Sequence, residues 1–212
     1  MLGNLIIISS PSGGGKGTLI KEVLRTTPDI GYSVSYTTRP KREGETHGKD
    51  YFFVARAEFD ELIGKNEFLE YAEVHGNFYG TAKSHVNYEI SQGRDVILEI
   101  DVQGATNILE IYPEAVSVFI LPPDFETLRA RLTARNTETE ANLALRLKNS
   151  FGEVMQYQKF EYVVVNDERE RASRSLQSII LAERLRRDRQ TEAIQAILGS
   201  FDISKFWTVG DN

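Results

Sequence analysis

The stretch from Leu5 to Leu24 constrains the fold more than any other part of the chain. Leu5-Ile6-Ile7-Ile8 is a continuous apolar run bounded by Ser9-Ser10-Pro11. A strand without polar alternation must be covered on both faces, which predicts the interior of a sheet with helices above and below. Beyond the glycines, Leu19, Ile20, Val23 and Leu24 recur at helical spacing until Pro28 stops them. Between strand and helix lies Ser10-Pro11-Ser12-Gly13-Gly14-Gly15-Lys16-Gly17-Thr18. In that context a glycine loop wraps phosphates: its backbone N–H groups converge without Cβ obstruction, and the helix's positive end reinforces them. Lys16 adds a point charge for the β and γ phosphates of a nucleotide. Ser10 stands where the Walker pattern has its first glycine, and Gly17 follows the lysine, so the hydroxyl that would meet Mg²⁺ moves to Thr18. A dinucleotide-binding fingerprint does not explain a lysine at the helix start.

The same rhythm continues downstream. Val96 to Asp101 and Ala115 to Leu121 read as further buried strands, and Tyr162 to Val165 is a fourth run late in the chain. Ala105 to Glu110 and Ala172 to Arg187 read as helices, so the fold class is α/β with a parallel sheet. Gly31 to Gly80 breaks the pattern with short alternating runs at Ser33–Tyr36, Tyr51–Val54, Phe68–Val74 and Asn77–Tyr79, which predict a small, mostly antiparallel inserted lobe. Asp124 to Lys159 predicts two helices joined near Asn136-Thr137, a joint suited to a mobile lid. The expected division is core over 1–32, lobe over 33–81, core over 82–125, lid and flanking helices over 126–160, core over 161–190 and a tail over 191–212. That tail predicts one more helix around Ala193, Ile194, Ile197 and Leu198 and holds the single tryptophan, Trp207.

Composition narrows the function. Among 212 residues, 25 Lys plus Arg oppose 31 Asp plus Glu, a net charge of −6 that argues against a dedicated nucleic-acid binder. Cysteine is absent, which removes thiolate chemistry and makes a reducing, cytoplasmic setting the expectation. The run at Leu5–Ile8 is too short to span a membrane and lacks the flanks of a signal peptide, so no membrane attachment is expected. His47, His75 and His85 are scattered, without metal-ligand spacing or a partner nucleophile.

Several motifs in order then closely resemble guanylate kinase. They are the glycine loop, Val34-Ser35-Tyr36-Thr37-Thr38-Arg39-Pro40-Lys41-Arg42-Glu43-Gly44-Glu45, Gly48-Lys49-Asp50-Tyr51, Gly76-Asn77-Phe78-Tyr79-Gly80-Thr81, Asp101-Val102-Gln103-Gly104-Ala105, Phe119-Ile120-Leu121-Pro122-Pro123, the arginines from Arg131 to Arg135, and Val165-Asn166-Asp167. The resemblance implies a P-loop kinase core with a GMP-binding lobe and a helical lid. It also implies transfer of the γ-phosphoryl group of ATP to GMP with Mg²⁺. Glu70 resembles the carboxylate that accepts from the guanine N1–H and amine, with Ser35 and Thr81 as hydroxyls near the base. Arg39 and Arg42, with the hydroxyls of Tyr51 and Tyr79, match the GMP phosphate site, where planar guanidinium forks suit a dianion. Glu99 and Asp101 share one face of a strand end and resemble groups near GMP and Mg²⁺. Arg131, Arg135 and Arg146 resemble lid arginines that reach the transferring phosphoryl group on closure, and Asn166 resembles an adenine-side contact. Three readings stand at this stage: the enzyme, a binding module of the same fold, and a P-loop kinase with another small acceptor. The intact Gly13-Gly14-Gly15-Lys16 favours an enzyme. Oligomeric state has no signature in the sequence.

Overall fold

In the computed structural model the described residues are 2–74, 76–134 and 140–201, the side chains at 140–143 and 145 excepted. The expected lid arginine Arg135, the joint at Asn136-Thr137, His75 and Trp207 lie outside them. The main sheet has the strand order β2-β7-β1-β8-β9, from β1 (Leu5–Ser9), β2 (Ile30–Ser33), β7 (Asp95–Glu99), β8 (Val116–Leu121) and β9 (Tyr162–Val165). Every pairing in it is parallel. Both faces of β1 are buried, as its unbroken apolar run requires. Ile6 and Ile8 pack with Leu19, Ile20 and Val23 of α1 (Lys16–Thr26) and Ala172, Leu176 and Ile180 of α7 (Arg169–Arg184). Leu5 and Ile7 pack on the other face with Val86 of α3 (Lys83–Ser91) and Ala105 and Ile108 of α4 (Val102–Ile111).

Register places the working edge. Ile8 pairs with Glu99 and Val118, and Ser9 with Phe119, so the carboxyl ends of β1, β7 and β8 align. The glycine loop leaves the sheet there, at the edge where open α/β sheets carry ligands. At the opposite edge Arg184 Nε donates to Asp95 Oδ2 at 2.7 Å, while Asp95 Oδ1 accepts from the Asn4 amide at 2.7 Å. That buried charge tie fastens α7 to the sheet away from the site.

A second sheet, β4-β3-β6-β5, forms the inserted lobe from β3 (Tyr36–Thr37), β4 (Phe52–Phe53), β5 (Phe68–Val74) and β6 (Asn77–Ala82). The β3·β6 and β5·β6 pairings are antiparallel, and the β3·β4 pairing is parallel. The structure departs from the sequence expectation in two places. The run Ser33–Tyr36 is not one lobe strand: Ser33 pairs with Leu98 in the main sheet, and the chain changes sheets at Val34-Ser35. A helix, α2 (Arg56–Gly64), also interrupts the lobe's strands. Its only buried residue is Phe59, whose ring lies 4.7 Å from Phe68 and 5.7 Å from Phe78. One aromatic anchor seats this nine-residue helix, because so short a segment has little stability of its own. The expected lid helices are α5 (Phe125–Thr133) and α6 (Glu140–Val154), and the tail helix is α8 (Thr191–Ser200).

Because Phe59 is the one fully buried residue of α2, with Arg56 over the Phe78 ring at 3.7 Å as a lesser tie, Phe59→Ala is expected to lower stability by about 3 kcal/mol or more in urea denaturation. A loss under about 0.5 kcal/mol would show that the helix is held by something else.

Candidate active site

The glycine loop is shaped by two left-handed residues, Gly13 at φ +85° and Gly15 at φ +88°. Side chains rarely adopt that backbone, and Gly15 is also the N-cap of α1, with no side-chain cap and no acid in the first turn. The helix therefore presents its amino end uncompensated, as an anion site requires. Lys16 Nζ donates to the Ile100 carbonyl at 2.9 Å, which parks the ammonium at the end of β7.

The loop is braced from outside. Asn166 Nδ2 donates to the Gly14 carbonyl at 2.8 Å, and Arg131 donates to the same oxygen at 3.4 Å and to the Asn166 carbonyl at 2.9 Å. Arg146 Nη2 donates to Ser12 Oγ at 2.8 Å. Two of the expected lid arginines thus hold the loop itself. Asn166, expected against an adenine ring, is buried behind the loop with its amide committed to Gly14.

A cleft of about 870 Å³ opens above the loop, lined by all of Ser10 to Thr18 and by Glu99, Asp101, Gln103, Thr106, Asn107, Glu153 and Lys159. A smaller cavity of about 180 Å³ adjoins it under the lobe, lined by Ser35, Tyr51, Glu70, Tyr79 and Ile100 among others. Lys16, Val74, Glu99 and Asp101 belong to both walls. Two of the four are carboxylates and one is a cation, so a charge-bearing seam joins the two spaces.

Glu99 is oriented by Tyr32, whose hydroxyl donates to Oε2 at 3.1 Å; burial, and then the nearby carboxylate, push that phenol's pKa up. Asp101 caps α4, its Oδ1 accepting from the Gly104 amide at 2.8 Å. The expected Asp101 site residue is thus also a structural cap. Gly104 allows a close approach here: a Cβ on it would stand 3.0 Å from Glu70 Oε2 and 3.2 Å from Asp101 Oδ1.

Glu70 sits on β5 with 8 % of its surface exposed and receives the Thr81 hydroxyl on Oε1 at 3.0 Å. Burial pushes its carboxyl pKa up to about 7; the Thr81 bond works against that rise and the Asp101 charge adds to it. Burial likewise pushes the Tyr51 phenol up to about 12. Tyr51 and Tyr79 stand on the cavity wall, whereas Arg39 and Arg42 do not line it. Arg39 donates to Glu45 Oε1 at 2.7 Å and to the Pro40 carbonyl at 2.8 Å, and the Arg42 amide donates to Glu45 Oε2 at 2.8 Å. Glu45, Tyr32 and Glu153 are the site groups that sequence reasoning missed.

Among the described residues no cluster of three or more His, Asp or Glu side chains could hold a metal ion. Mg²⁺ bound along with nucleotide phosphates needs fewer protein ligands. The donor set fits that arrangement: Thr18, Glu99 and Asp101 line one cleft, and Glu99 Oε1 lies 3.4 Å from where a Cβ on Gly17 would be.

A phosphate loop at the carboxyl edge of a parallel sheet, faced by a second lobe with a buried carboxylate, defines a P-loop kinase fold. The guanylate kinase family model matches residues 2–183. The guanylate kinase of Clostridium tetani is 50% identical over 192 residues, 91% of this chain and 92% of that protein. That of Neisseria meningitidis serogroup A is 48% identical over 92% of this chain and 96% of its own length. The crystal structure of guanylate kinase from Anaplasma phagocytophilum superposes with a TM-score of 0.76 at 36% identity, covering 89% of each chain. The chain belongs to the guanylate kinase family.

The raised Glu70 pKa has a stability consequence. Between its usual 4.5 and about 7 the folded protein holds a proton that the unfolded chain releases, so stability falls as pH rises through that window, by up to about 3 kcal/mol. Glu70→Gln keeps an acceptor for Thr81 and removes the titration. The variant without ligand is expected to match the wild type near pH 4.5 and to exceed its stability at pH 8. Parallel stability–pH curves for the two proteins would contradict the buried carboxylate's role.

Proposed function

We propose that, in this ATP:GMP phosphotransferase, ATP occupies the larger cleft and GMP the smaller cavity, their phosphates meeting at the Lys16, Glu99 and Asp101 seam. The observation that carries this reading is the adjoining of an anion-receptive loop and a cavity containing a buried carboxylate across shared walls. Guanine offers donors at N1–H and the exocyclic amine, and Glu70 supplies a paired acceptor, with Thr81 and Ser35 beside it. A desolvated site with this polarity rejects adenine, whose edge would leave the carboxylate without a partner.

The amides from Gly13 to Thr18 and the Lys16 ammonium hold the donor phosphates. Thr18, with Glu99 and Asp101 beside it, would hold Mg²⁺, which when bound neutralises charge on the phosphates. Tyr51 and Tyr79 bind the GMP phosphate, and Arg39 and Arg42 join them when Arg39 exchanges Glu45 for the incoming dianion. Arg131 and Arg146 already reach the loop, and closure of the lid over 126–160 against the lobe over 33–81 turns them and Arg135 toward the transferring group. Phosphoryl transfer needs alignment and charge neutralisation more than covalent assistance, so cations dominate this set of groups. Closure also excludes the water that would waste ATP. The cysteine-free sequence supports a cytoplasmic setting.

The test is ADP production from ATP and Mg²⁺ with GMP, AMP, CMP or UMP in turn. GMP is expected to be preferred by about a hundredfold or more; preference for another acceptor would overturn the reading. Lys16→Ala is expected to lower kcat about a hundredfold or more while moving GMP affinity by less than about tenfold. Equal losses on both sides would place Lys16 elsewhere.

GMP binding selects the ionised form of Glu70, because a protonated carboxyl would set a donor against a donor. Binding therefore releases part of a proton near pH 7, and GMP affinity falls as pH drops below that value. Calorimetry in buffers of different ionisation enthalpy is expected to detect a larger release in the wild type than in Glu70→Gln, where only the GMP phosphate, with its second pKa of about 6, contributes. Identical buffer dependence in both proteins would refute it.

A further inference from the structure

We propose that Glu153 is a positioning residue for the donor-phosphate loop: through the Ser12 amide, one face of α6 fixes the start of the loop and leaves amides beyond it, those of Gly13 and Gly15 among them, for the ligand. This inference rests on the reading of the loop as the ATP phosphate site.

Arg146, Ser150 and Glu153 follow one another at spacings of four and three, which puts them on one side of a helix. All three converge on Ser12. Arg146 Nη2 donates to its Oγ at 2.8 Å, Ser150 Oγ donates to its carbonyl at 3.4 Å, and its own N–H donates to Glu153 Oε2 at 2.8 Å. Every polar group of a single loop residue is thereby engaged from one helix. The Glu153 bond is the charge-assisted member with a main-chain donor, so together with the Gly14 N–H on the Pro11 carbonyl at 2.9 Å it fixes the Pro11–Ser12 peptide plane, while Ser150 holds the carbonyl of the peptide entering Gly13.

That plane matters because the next three residues are glycines and carry no rotameric or steric preference of their own. A loop of this kind converges its amides only if its ends are held. Asn166 and Arg131 hold it at Gly14, and Glu153 holds it at Ser12. Without Glu153 the Ser12 amide loses its acceptor, and the Pro11–Ser12 peptide is held only through the Pro11 carbonyl, by the Gly14 N–H and the Ser10 hydroxyl, which loosens the preorganisation that donor binding draws on. A carboxylate in a cleft built for a triphosphate is electrostatically unfavourable in itself. Its place on the cleft wall is explained if its work is to hold the Ser12 amide, which donates to its Oε2.

Steady-state kinetics of the full chain with ATP and GMP varied separately tests this for Glu153→Ala and Glu153→Gln. The alanine variant is expected to raise KM for ATP about tenfold, the scale of one charge-assisted hydrogen bond, and to leave KM for GMP within about twofold. Glutamine can still accept from the Ser12 amide, so it is expected to restore most of the ATP affinity; if the alanine variant does not fold, a rise of about two- to fivefold for glutamine carries the same information. An unchanged KM for ATP in the folded alanine variant, equal rises in both KM values, or a glutamine variant with no rise where alanine is unfolded would overturn the proposal. Failure of the underlying donor-site reading is distinct, because the wild type itself would then show no saturable ATP dependence.

Discussion

A loop of backbone amides with no side chain to close it has to be held open at the edge of a sheet, and most of the core is arranged around that requirement. Gly13 and Gly15 supply the left-handed turns, and α1 starts without a cap or an acid. Such a segment is poorly stable alone, because glycines gain little from any single conformation. The stability comes from neighbours distant in sequence. The buried strand β1 fixes where the loop begins, α1 fixes where it ends, and Asn166, Arg131 and the polar face of α6 hold its middle. Two of these braces are arginines, Arg131 and Arg146, so under the proposed lid closure the firmness of the loop and the approach to the phosphoryl group would draw on the same side chains.

The acceptor side follows a different physical logic. The recognition group proposed there, Glu70, is a carboxylate taken out of water, and the burial that raises its pKa is a penalty that the folded protein bears without ligand. On the proposed reading, a guanine edge would offset that penalty by providing donors, and the destabilisation would become selectivity. The lobe that carries Glu70 is correspondingly modest: a four-stranded sheet and one helix seated by a single phenyl ring. A small unit of this kind can move as a body relative to the five-stranded core, as closure over two substrates demands.

The sequence was most legible where the signals are local. An unbroken run of Ile, three glycines, a lysine and a helical repeat lie within twenty residues, and each element points to the same unit. Glu70 and Thr81 were found through resemblance, and the structure joins them by a hydrogen bond across the β5–β6 pair. What escaped is non-local or balanced. Glu153 meets Ser12 across 141 residues, and a glutamate on a helix ordinarily reads as solvated charge; the spacing of Arg146, Ser150 and Glu153 was the available signal. Tyr32 meets Glu99 across 67 residues with no motif to connect them. Phe59, Leu62 and Ile63 do stand at helical spacing, but α2 is only nine residues long and lies among short strands, where that single apolar turn is easily taken for part of the alternating pattern. The strand at Ser33–Tyr36 was read as one piece because its residues share β propensity, while the switch between sheets is decided by pairing with Leu98 and Phe52.

Joining both halves is the seam of Lys16, Glu99 and Asp101, where two nucleotides would lie phosphate to phosphate. A single molecule carrying adenosine and guanosine at opposite ends of a polyphosphate bridge probes that geometry directly. Calorimetry is expected to give one such molecule per chain, bound more tightly than ATP or GMP alone and excluding both. Binding that displaces only one of the two nucleotides, or two bridged molecules bound per chain, would contradict a shared reaction cleft.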